Sequence, residues 1–396
     1  MRQAWRWFGP DDPVSLDDIR QAGATDVVHA LHHVPPGVAW TLADVAARKR
    51  LIDTAPAGRS KLTWSVVESI PVPDDVKRLG GGARGSIDAW ITSLEAVATV
   101  GIKTVCYNFM PIVDWTRTDL DWALPNGATA LRFDQHRFAA FDLYVLKRPN
   151  AASSYSESER QKARAALDTM SQGDNETLTR TIAAGLPGGT TDALDLVSFR
   201  ERLAAYNGID ARVLRAHLVQ FLQAVTPKAE LLGVKLTLHP DDPPRPLFGL
   251  PRIASTADDY QALFDAVPSP ANGMCLCTGS LGVAARNDLP GIVRQFAKRI
   301  HFAHLRATRR EDDGSFFEAD HLDGDMDMIA VLIELLAEDK TRAADATIPF
   351  RPDHGHRMLD DLKKHTNPGY SAIGRLKGLA ELRGAVRALT HDSHIS

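Results

Sequence analysis

Four residues with metal-binding side chains stand at the ends of separate strand-like segments of this chain. His239 ends the segment KLTLH, Cys277 ends GMCLC, His304 lies in HFAHL, and Asp353 follows IPFRP. In a barrel of parallel strands, the carboxyl ends of the strands surround a single mouth, so four distant segments can supply ligands to one ion. The pattern therefore predicts a metalloenzyme.

Two of these segments contain a second candidate ligand, and strand geometry helps to separate the choices. Cys275 and Cys277 share a strand face, because side chains alternate along a strand, and Cys277 is closer to the predicted strand end. Cys275 is better explained as core packing, since free cysteine is among the most buried residue types. His301 and His304 lie on opposite faces, so we assign the ligand role to His304, nearer the end, and a structural role to His301.

Further chemical groups occur in the segments RPDHG and SFFEADHLDGDMDM. Arg351 can hold a carboxylate at two points through its planar guanidinium group, whereas Asp353 can bind the ion or accept a proton. A simple salt bridge between these two residues is the alternative. Glu318, Asp320 and His321 are candidates for orienting a ligand or recognising a hydroxyl group, unless this acidic loop is only solvated.

The elements that must position these residues alternate between two periodicities. Short apolar segments rich in β-branched residues predict strands at 3–8, 25–31, 61–67, 102–109, 233–239, 273–278, 299–305 and 346–351. Apolar residues at three- and four-residue steps predict helices at 87–100, 328–336 and 373–389. Strands that are apolar throughout are typical of a parallel sheet covered on both faces, so we expect a (β/α)8 TIM barrel, with an open doubly wound sheet as the alternative.

One interval interrupts this alternation. Residues 110–207 contain no convincing strand pattern, and we expect a long helical insertion after the fourth strand. An insertion at that point lies on the catalytic face of a barrel, where a lid or an oligomer contact is as plausible as solvated helical decoration. We expect residues 1–396 to form a single barrel domain that includes the insertion, because barrels of this class often exceed 250 residues.

Composition narrows the class of protein. The net charge is -4 and basic residues are interspersed with acids, which argues against a nucleic-acid partner. The first residues lack the apolar core of a signal peptide, and no segment has about 18 consecutive apolar residues, so we expect a cytoplasmic protein without a membrane partner. Three cysteines, two of them one residue apart, do not suit a disulfide framework.

Taken in order, the blocks HPDDPP, CLCTGS, HFAHLR, FFEADHLDGDMDM, RPDHG and GYSAIGRLKGLAELRG resemble the mannonate dehydratase family, as do RWFGPDDPV and LHHVPPGVAW near the start. The resemblance implies a xylose-isomerase-like barrel, Mn2+ or Fe2+ as cofactor, a homo-oligomer, and conversion of D-mannonate to 2-keto-3-deoxy-D-gluconate in hexuronate breakdown. It implies metal ligation by His239, Cys277, His304 and Asp353. It implies catalytic roles for Arg351, Asp353, His354 and Tyr370, and substrate contacts from Arg351, Arg306, Asp320 and His321.

The residue chemistry is compatible with this reaction. Removing a proton beside a carboxylate concentrates negative charge, which a divalent ion can stabilise, while a base and an acid move the two protons. Whether Asp353 is a ligand or the base stays open, and ligand softness alone favours Zn2+ or Fe2+ because of the thiolate. Two alternatives remain, a metal-dependent sugar isomerase or epimerase on the same barrel and a non-catalytic, metal-stabilised sugar-acid binding protein.

Overall fold

A closed barrel of parallel strands forms the centre of the computed structural model, which describes residues 1–184 and 195–391. The barrel strands, numbered in chain order among all strands, are β1 (Arg2–Arg6), β2 (Asp26–His29), β3 (Thr63–Glu68), β4 (Thr104–Tyr107), β7 (Lys235–Leu238), β8 (Asn272–Cys277), β9 (Ile300–Leu305) and β12 (Pro349–Pro352). Around the barrel they follow the order β1-β12-β9-β8-β7-β4-β3-β2, and every neighbouring pair is parallel. The predicted barrel is confirmed, and each predicted strand segment overlaps one of these strands.

Helices surround the barrel and form much of the insertion after β4. Their bounds are α1 (Leu16–Gln21), α2 (Leu42–Asp53), α3 (Asp74–Arg78), α4 (Ala83–Thr99), α5 (Gln135–Ala140), α6 (Glu157–Thr169), α7 (Gln172–Ala184), α8 (Leu196–Ala204), α9 (Ala211–Leu232), α10 (Ala257–Ala266), α11 (Thr278–Leu281), α12 (Leu289–Phe296), α13 (Met328–Asp339) and α14 (Ala372–His391). Short 3-10 or π segments are present at Phe141–Val145, Ala151–Ser154, Ala297–Arg299, Ala344–Ala346 and Leu359–Lys363. The predicted helices at 87–100, 328–336 and 373–389 coincide with α4, α13 and α14. Within the described ranges, none of the helices has the length and apolar composition that a membrane crossing requires.

The main core lies between the strands and these helices. Trp64 on the barrel and Trp90 and Leu94 on α4 belong to one large buried cluster, which explains why the strands read as apolar throughout. The longest helix, α9, starts at Asp210, whose side chain accepts from the Val213 amide, and ends where Gly233 takes a left-handed conformation with φ 64°. Gly233 lies just before β7, so this helix end fixes where the strand bearing His239 begins.

The interior of the barrel is filled in layers. An inner apolar layer consists of Ala4, Val28, Val66, Cys106, Cys275 and Phe302. Two residues further along the same strands stand Arg6, Ala30, Glu68, Asn108, Cys277 and His304. Because side chains alternate along a strand, each strand presents first a packing residue and then, one pleat nearer the mouth, a residue of the second set. We call the charged and ligand-bearing members of the second set the mouth layer, namely Arg6, Glu68, Cys277 and His304.

The insertion between β4 and β7 contains a feature that sequence reasoning missed. It is mainly helical, with α5 to α8, but it also forms a hairpin of β5 (Asp119–Ala123) and β6 (Thr129–Phe133). The hairpin pairs with β10 (Ala307–Arg310) and β11 (Phe316–Ala319), in the order β10-β11-β6-β5. The expectation of an interval without strands is therefore wrong. The part of the insertion from 185 to 194 lies outside the described residues, and its role as a lid or an oligomer contact stays a prediction.

Candidate active site

A cavity of about 380 Å³ opens at the carboxyl ends of the barrel strands. Its volume falls within the range usual for small-molecule sites. Its lining includes Arg6, Glu68, His239, Arg351, His354 and Tyr370, and also Asp353, so the cavity collects side chains from strands that are far apart in sequence. Among the sequence-predicted residues, the catalytic group of Asp353, Tyr370, His354 and Arg351 is thus brought together at one place.

Three of the four predicted metal ligands form a compact cluster beside this cavity. The donor atoms of His239, Cys277 and His304 all lie within 4.8 Å of one another. The fourth candidate, Asp353, places Oδ2 3.8 Å from the Cys277 sulfur and 3.9 Å from Nδ1 of His304. Imidazole, thiolate and carboxylate groups form a donor set that suits a divalent transition ion. The residues present therefore fit the metal that the resemblance implies, and the ligand role of Asp353 stays a prediction.

Local structure explains the orientation of these ligands. Nδ1 of His239 lies 2.6 Å from the Pro240 carbonyl, which leaves Nε2 for an ion, an arrangement common at metal-binding histidines. Cys277 is the residue that precedes α11, and the Ser280 hydroxyl one turn later lies 3.2 Å from its sulfur. Nε2 of His304 is buried without a hydrogen-bond partner. The alternative candidates point elsewhere, since Cys275 belongs to the inner apolar layer and His301 contacts the Pro270 carbonyl at 3.1 Å.

Beneath the cavity, buried arginines alternate with buried carboxylates in a chain of ion pairs that we call the charged ladder. Its members, in order, are Asp242, Arg117, Glu318, Arg306, Asp353, Arg351, Glu68 and Arg6. Arg117 lies 2.7 Å from both Asp242 and Glu318, and Arg306 lies 2.5 Å from Glu318 and 2.6 Å from Asp353. Because every charge has an opposite neighbour, the ladder can exist in an interior that would otherwise exclude it.

The ladder holds its carboxyl groups in the ionised form. Burial alone would raise the pKa of Glu68, but Arg351 and Arg6 hold it well below its usual value. Burial likewise opposes ionisation of Asp353, whose pKa is held low mainly by Arg351. For Asp242 the neighbouring arginines, Arg117 before Arg306, overcome burial and lower the pKa to about 2. The lower end of the cavity is therefore lined by fixed charges at neutral pH.

Arg351 occupies a different position from the one that sequence reasoning gave it. Its Nε and Nη2 groups donate to the two oxygens of Glu68 at 3.1 and 3.0 Å, and its Nη1 donates to Asp353. Glu68 already occupies the edge of the guanidinium group that a two-point grip on a substrate carboxylate would need, so that expected role of Arg351 stays a prediction that requires release of Glu68. The salt bridge between Arg351 and Asp353, the alternative interpretation, is present.

Three residues expected to touch the substrate lie away from the cavity lining. Arg306 is buried in the ladder, against Gly279, where a Cβ atom would lie 2.3 Å from its side chain. Asp320 pairs with Lys377 of α14 at 2.6 Å, and His321 is buried against Gly378 of the same helix. The chain turns towards α14 after β11, so none of the three residues lines the cavity, and their expected substrate contacts stay predictions.

His354 and Tyr370 face each other at the cavity wall. Their ring centroids are 5.2 Å apart in an edge-to-face arrangement. Nδ1 of His354 lies 3.2 Å from Oε1 of Glu318, and the Trp115 ring packs on its other side at 5.8 Å. Burial raises the pKa of Tyr370. The pair provides one group that can accept a proton and one that can donate it, both in contact with the cavity.

Sequence reasoning missed two charged residues of the mouth layer. Glu68 directly follows the predicted strand 61–67, so the criterion that selected His239 would also have selected it. Arg6 is buried at the end of β1, where a charge needs a partner, and that partner is Glu68 at 2.9 Å. Lys77 and Arg117 gave no comparable signal, because they come from α3 and from the start of the insertion.

Comparison with known proteins shows the family of the chain. The family model for D-mannonate dehydratase (UxuA) matches residues 1–396. A curated mannonate dehydratase from Brucella canis is 62% identical over 390 residues, which are 98% of this chain and 97% of the relative. The crystal structure of mannonate dehydratase from Streptococcus suis serotype 2 superposes with a TM-score of 0.76 at 30% identity, covering 100% of this chain and 95% of that one.

A more distant structure is similar in fold alone. A xylose isomerase-like TIM barrel protein from Mycobacterium smegmatis, solved in complex with magnesium, has a TM-score of 0.50 at 13% identity and covers 97% of both chains. The xylose-isomerase-like form of the barrel is thereby confirmed. The full-length match to the family model and the 62% identity place the sequence much more narrowly. This chain belongs to the D-mannonate dehydratase (UxuA) family.

Proposed function

We propose that this protein is a metal-dependent hydro-lyase that converts D-mannonate to 2-keto-3-deoxy-D-gluconate and water. The observation that carries the proposal is that a cluster of three metal-binding side chains reaches, through His239, the cavity that His354 and Tyr370 also line, in a chain of this family. Dehydration of a sugar acid needs stabilisation of negative charge at C1 and C2, a base for the C2 proton, and an acid for the C3 hydroxyl. The site contains a candidate for each requirement.

The metal would be held by His239, Cys277 and His304, with Asp353 as the fourth ligand. We propose Mn2+ or Fe2+, on the basis of the family resemblance and the mixed nitrogen, sulfur and oxygen donors. When bound, the ion supplies positive charge where the substrate carboxylate becomes a dianion. Burial of Cys277 and His304 excludes water from their side of the site, which strengthens every charge interaction there.

We assign the proton transfers to His354 and Tyr370. Glu318 contacts Nδ1 of His354 and stabilises a positive charge on the ring, so His354 suits the role of base and its Nε2 is the nitrogen that takes the C2 proton. Tyr370 contacts the same ring and is protonated at neutral pH, so it suits the role of the acid that protonates the departing C3 hydroxyl. Arg351 keeps Asp353 ionised and in place.

The remaining assignments rest on the family resemblance. We propose that the reaction belongs to hexuronate breakdown in the cytoplasm, that the protein is a homo-oligomer, and that residues 110–207 form a lid or a subunit contact on the catalytic face. The hairpin of β5 and β6 supports a role at that face, because its neighbour Arg117 joins the charged ladder through Asp242 and Glu318.

Incubation of the Mn2+-loaded protein with D-mannonate tests the reaction, with products followed by nuclear magnetic resonance. We expect a 2-keto-3-deoxy acid, loss of activity with a chelator, and recovery with Mn2+ or Fe2+. His354→Asn and Tyr370→Phe should retain bound metal and lose turnover by about 100-fold or more. An isomeric sugar acid as product would favour the isomerase or epimerase alternative, and binding without turnover would favour the binding protein. Full activity after rigorous metal removal would refute the metal requirement.

A further inference from the structure

We propose that Arg6 binds the carboxylate of the sugar acid, the task that sequence reasoning assigned to Arg351. The proposal rests on the proposed function, since it names how that same cavity recognises an acid. It follows from a comparison of the arginines that line the cavity, which are Arg6, Arg202 and Arg351 among the described residues. A guanidinium group binds a carboxylate best through the edge formed by Nε and one Nη, which presents two parallel N–H groups.

In two of these arginines that edge is already occupied. Arg351 donates through Nε and Nη2 to Glu68, at 3.1 and 3.0 Å. Arg202, on α8, donates through Nε and Nη2 to Asp74, at 3.1 and 2.6 Å. Each would have to release a protein carboxylate before it could take a ligand carboxylate by the same edge, so neither is prepared for the substrate.

Arg6 is held differently. Its Nη1 donates to Oε1 of Glu68 at 2.9 Å, which fixes the guanidinium group through the opposite edge. Its Nε is buried and has no hydrogen-bond partner, and no described residue forms a hydrogen bond with its Nη2. The side chain is only 5% exposed, so an unpaired N–H at this position is costly. A ligand carboxylate that accepts from Nε and Nη2 would remove that cost.

The surroundings of Arg6 favour an in-plane ligand. The guanidinium carbon lies 4.9 Å from the Phe8 ring centroid and 5.6 Å from that of Tyr370, so aromatic rings pack near the group while its N–H groups remain free. Glu68 accepts from Arg6 through Oε1, and its second oxygen, Oε2, lies 3.4 Å from Nε2 of His304. An acid bound by Arg6 therefore lies next to Tyr370, the proposed proton donor. Only the carboxylate of Glu68 separates Arg6 from His304 of the metal-ligand cluster.

Lys77 is the competing cation. It lines the same cavity, and its ammonium group donates to the Met110 carbonyl at 2.8 Å and lies 3.9 Å from Asp74. Met110 follows β4, which is directly across the barrel from β12 in the strand order. Lys77 is therefore on the far side of the cavity from Asp353, and we expect it to face the hydroxyl end of a six-carbon acid rather than its carboxylate.

The test compares binding of D-mannonate with binding of D-mannitol, a neutral chain of the same length, by calorimetry. The host protein is Mn2+-loaded His354→Asn, in which we expect turnover to be slowed by about 100-fold or more. We expect Arg6→Gln to weaken D-mannonate binding by roughly tenfold to a hundredfold, because one pair of charge-assisted hydrogen bonds is lost, with little change for D-mannitol. The D-mannonate affinity of Arg6→Lys should lie between that of the host protein and that of Arg6→Gln. In an otherwise unchanged protein, Arg6→Gln should raise KM more than it lowers kcat.

Arg148→Gln is the matched control. Arg148 also donates to a buried carboxylate, Asp142, but neither residue lines the cavity, so this variant should lose stability without losing acid binding. Unchanged D-mannonate affinity in folded Arg6→Gln would overturn the proposal, as would loss of acid preference in Lys77→Met but not in Arg6→Gln. If Arg6→Gln does not fold, full affinity in Arg6→Lys overturns it. Failure of the unmodified protein to bind or dehydrate D-mannonate refutes the proposed function, whereas normal turnover with unaffected Arg6 variants refutes only this inference.

Discussion

The inner apolar layer and the mouth layer of the barrel are built by the same strands and differ in almost every physical property. Val66 precedes Glu68 on β3, Cys275 precedes Cys277 on β8, and in each case the two residues share a face of the strand. The first layer contains no charged side chain, whereas the second carries ladder members and metal ligands. A shift of two residues, about 7 Å along a strand, separates packing from chemistry.

The contrast shows that the inner apolar layer provides the surroundings in which the charges of the mouth layer interact strongly. An apolar layer with no polar partner to offer keeps water and competing hydrogen bonds away from the lower side of the charged ladder. Electrostatic interactions in such surroundings are stronger than in water, and an unpaired group is correspondingly costly. Neighbouring strands keep the layers aligned, since Cys275 pairs in register with Phe302 and Cys277 with His304.

Glu68 and Val66 provide the sharpest test of this contrast. Glu68→Gln removes the carboxylate that pairs with Arg351 and Arg6, so we expect roughly 3–5 kcal/mol less stability and at least a hundredfold lower turnover. Val66→Ala, one pleat deeper, should cost about 2 kcal/mol through lost packing, with turnover nearly unchanged. Denaturant unfolding and initial rates measure both effects. Equal losses of activity in the two variants would mean that the layers are not functionally distinct.

Arg351→Lys examines the ladder without removing a charge. Lysine cannot reproduce the two parallel hydrogen bonds to Glu68, so we expect turnover to fall by about tenfold to a hundredfold while the protein stays folded. D-mannonate affinity should fall less than in Arg6→Gln, because Arg351 positions protein groups. A larger loss of affinity than in Arg6→Gln would return the substrate carboxylate to Arg351.

The cysteine pair repeats the comparison on β8. Cys277→Ser should weaken metal binding by roughly an order of magnitude or more, since a hydroxyl group is a far poorer ligand than a thiolate. Cys275→Ser should keep its metal and lose a modest amount of stability. Metal content after dialysis, measured alongside thermal unfolding, decides the matter. If Cys277→Ser retained the metal and Cys275→Ser lost it, Cys275 would be the ligand and Cys277 the packing residue.

His356 tests a charge pair that lies outside both layers, and we expect the smallest effect there. Burial lowers the pKa of His356, but Asp320, 3.2 Å away, raises it above its usual value overall, while His356 in turn holds the pKa of Asp320 low. The pair therefore stabilises the fold fully between about pH 4 and about pH 6.5, and this contribution is lost as pH rises through the folded pKa of His356 or falls through that of Asp320. His356→Gln should destabilise more at pH 5.5 than at pH 8.5 in thermal unfolding.

His301 is the control for that pH trend. Burial lowers its pKa to about 3, so the unfolded chain binds the extra proton below about pH 6.5 and the native protein loses stability as pH falls through that value. The cost of His301→Gln should therefore be larger at pH 8.5 than at pH 5.5, the reverse of His356→Gln. The same trend in both variants would contradict the assignment of opposite pKa shifts.

The barrel and the ligand cluster could be predicted from sequence because both follow from local rules. A strand that is apolar throughout is predicted to be buried, and a histidine or cysteine at its end indicates a position at the mouth of the barrel. The sequence could not predict that Glu68 occupies one edge of Arg351, because the two residues are 283 positions apart. Either Arg6 or Arg351 could have formed the two-point ion pair with Glu68. Asp320 and His321 share a segment with Glu318, yet β11 places only Glu318 at the ladder, and the turn after β11 takes the other two residues towards α14.

The hairpin of the insertion escaped prediction for a related reason. None of the residues of β5 is buried and three of its five side chains are polar or small, so it lacks the apolar alternation that marks a half-buried strand. Its companion β6 pairs with β11, where Phe316 is opposite Phe133, and that partner cannot be recognised from the local sequence of either segment. Both the four-stranded sheet and the charged ladder depend on contacts between segments that are far apart in the chain. Such contacts cannot be inferred from the pattern of one segment alone.

The small sheet also sets the order in which this protein can be completed. β6 is synthesised long before β11, and until residues near Phe316 have left the ribosome its outer edge has no strand to pair with. The link between Glu318 and Arg117 waits for the same event, because 201 positions of the chain separate the two residues. A nascent chain of this protein therefore carries an open strand edge until β11 emerges, and Arg117 gains its two carboxylate partners in separate steps, first Asp242 and then Glu318.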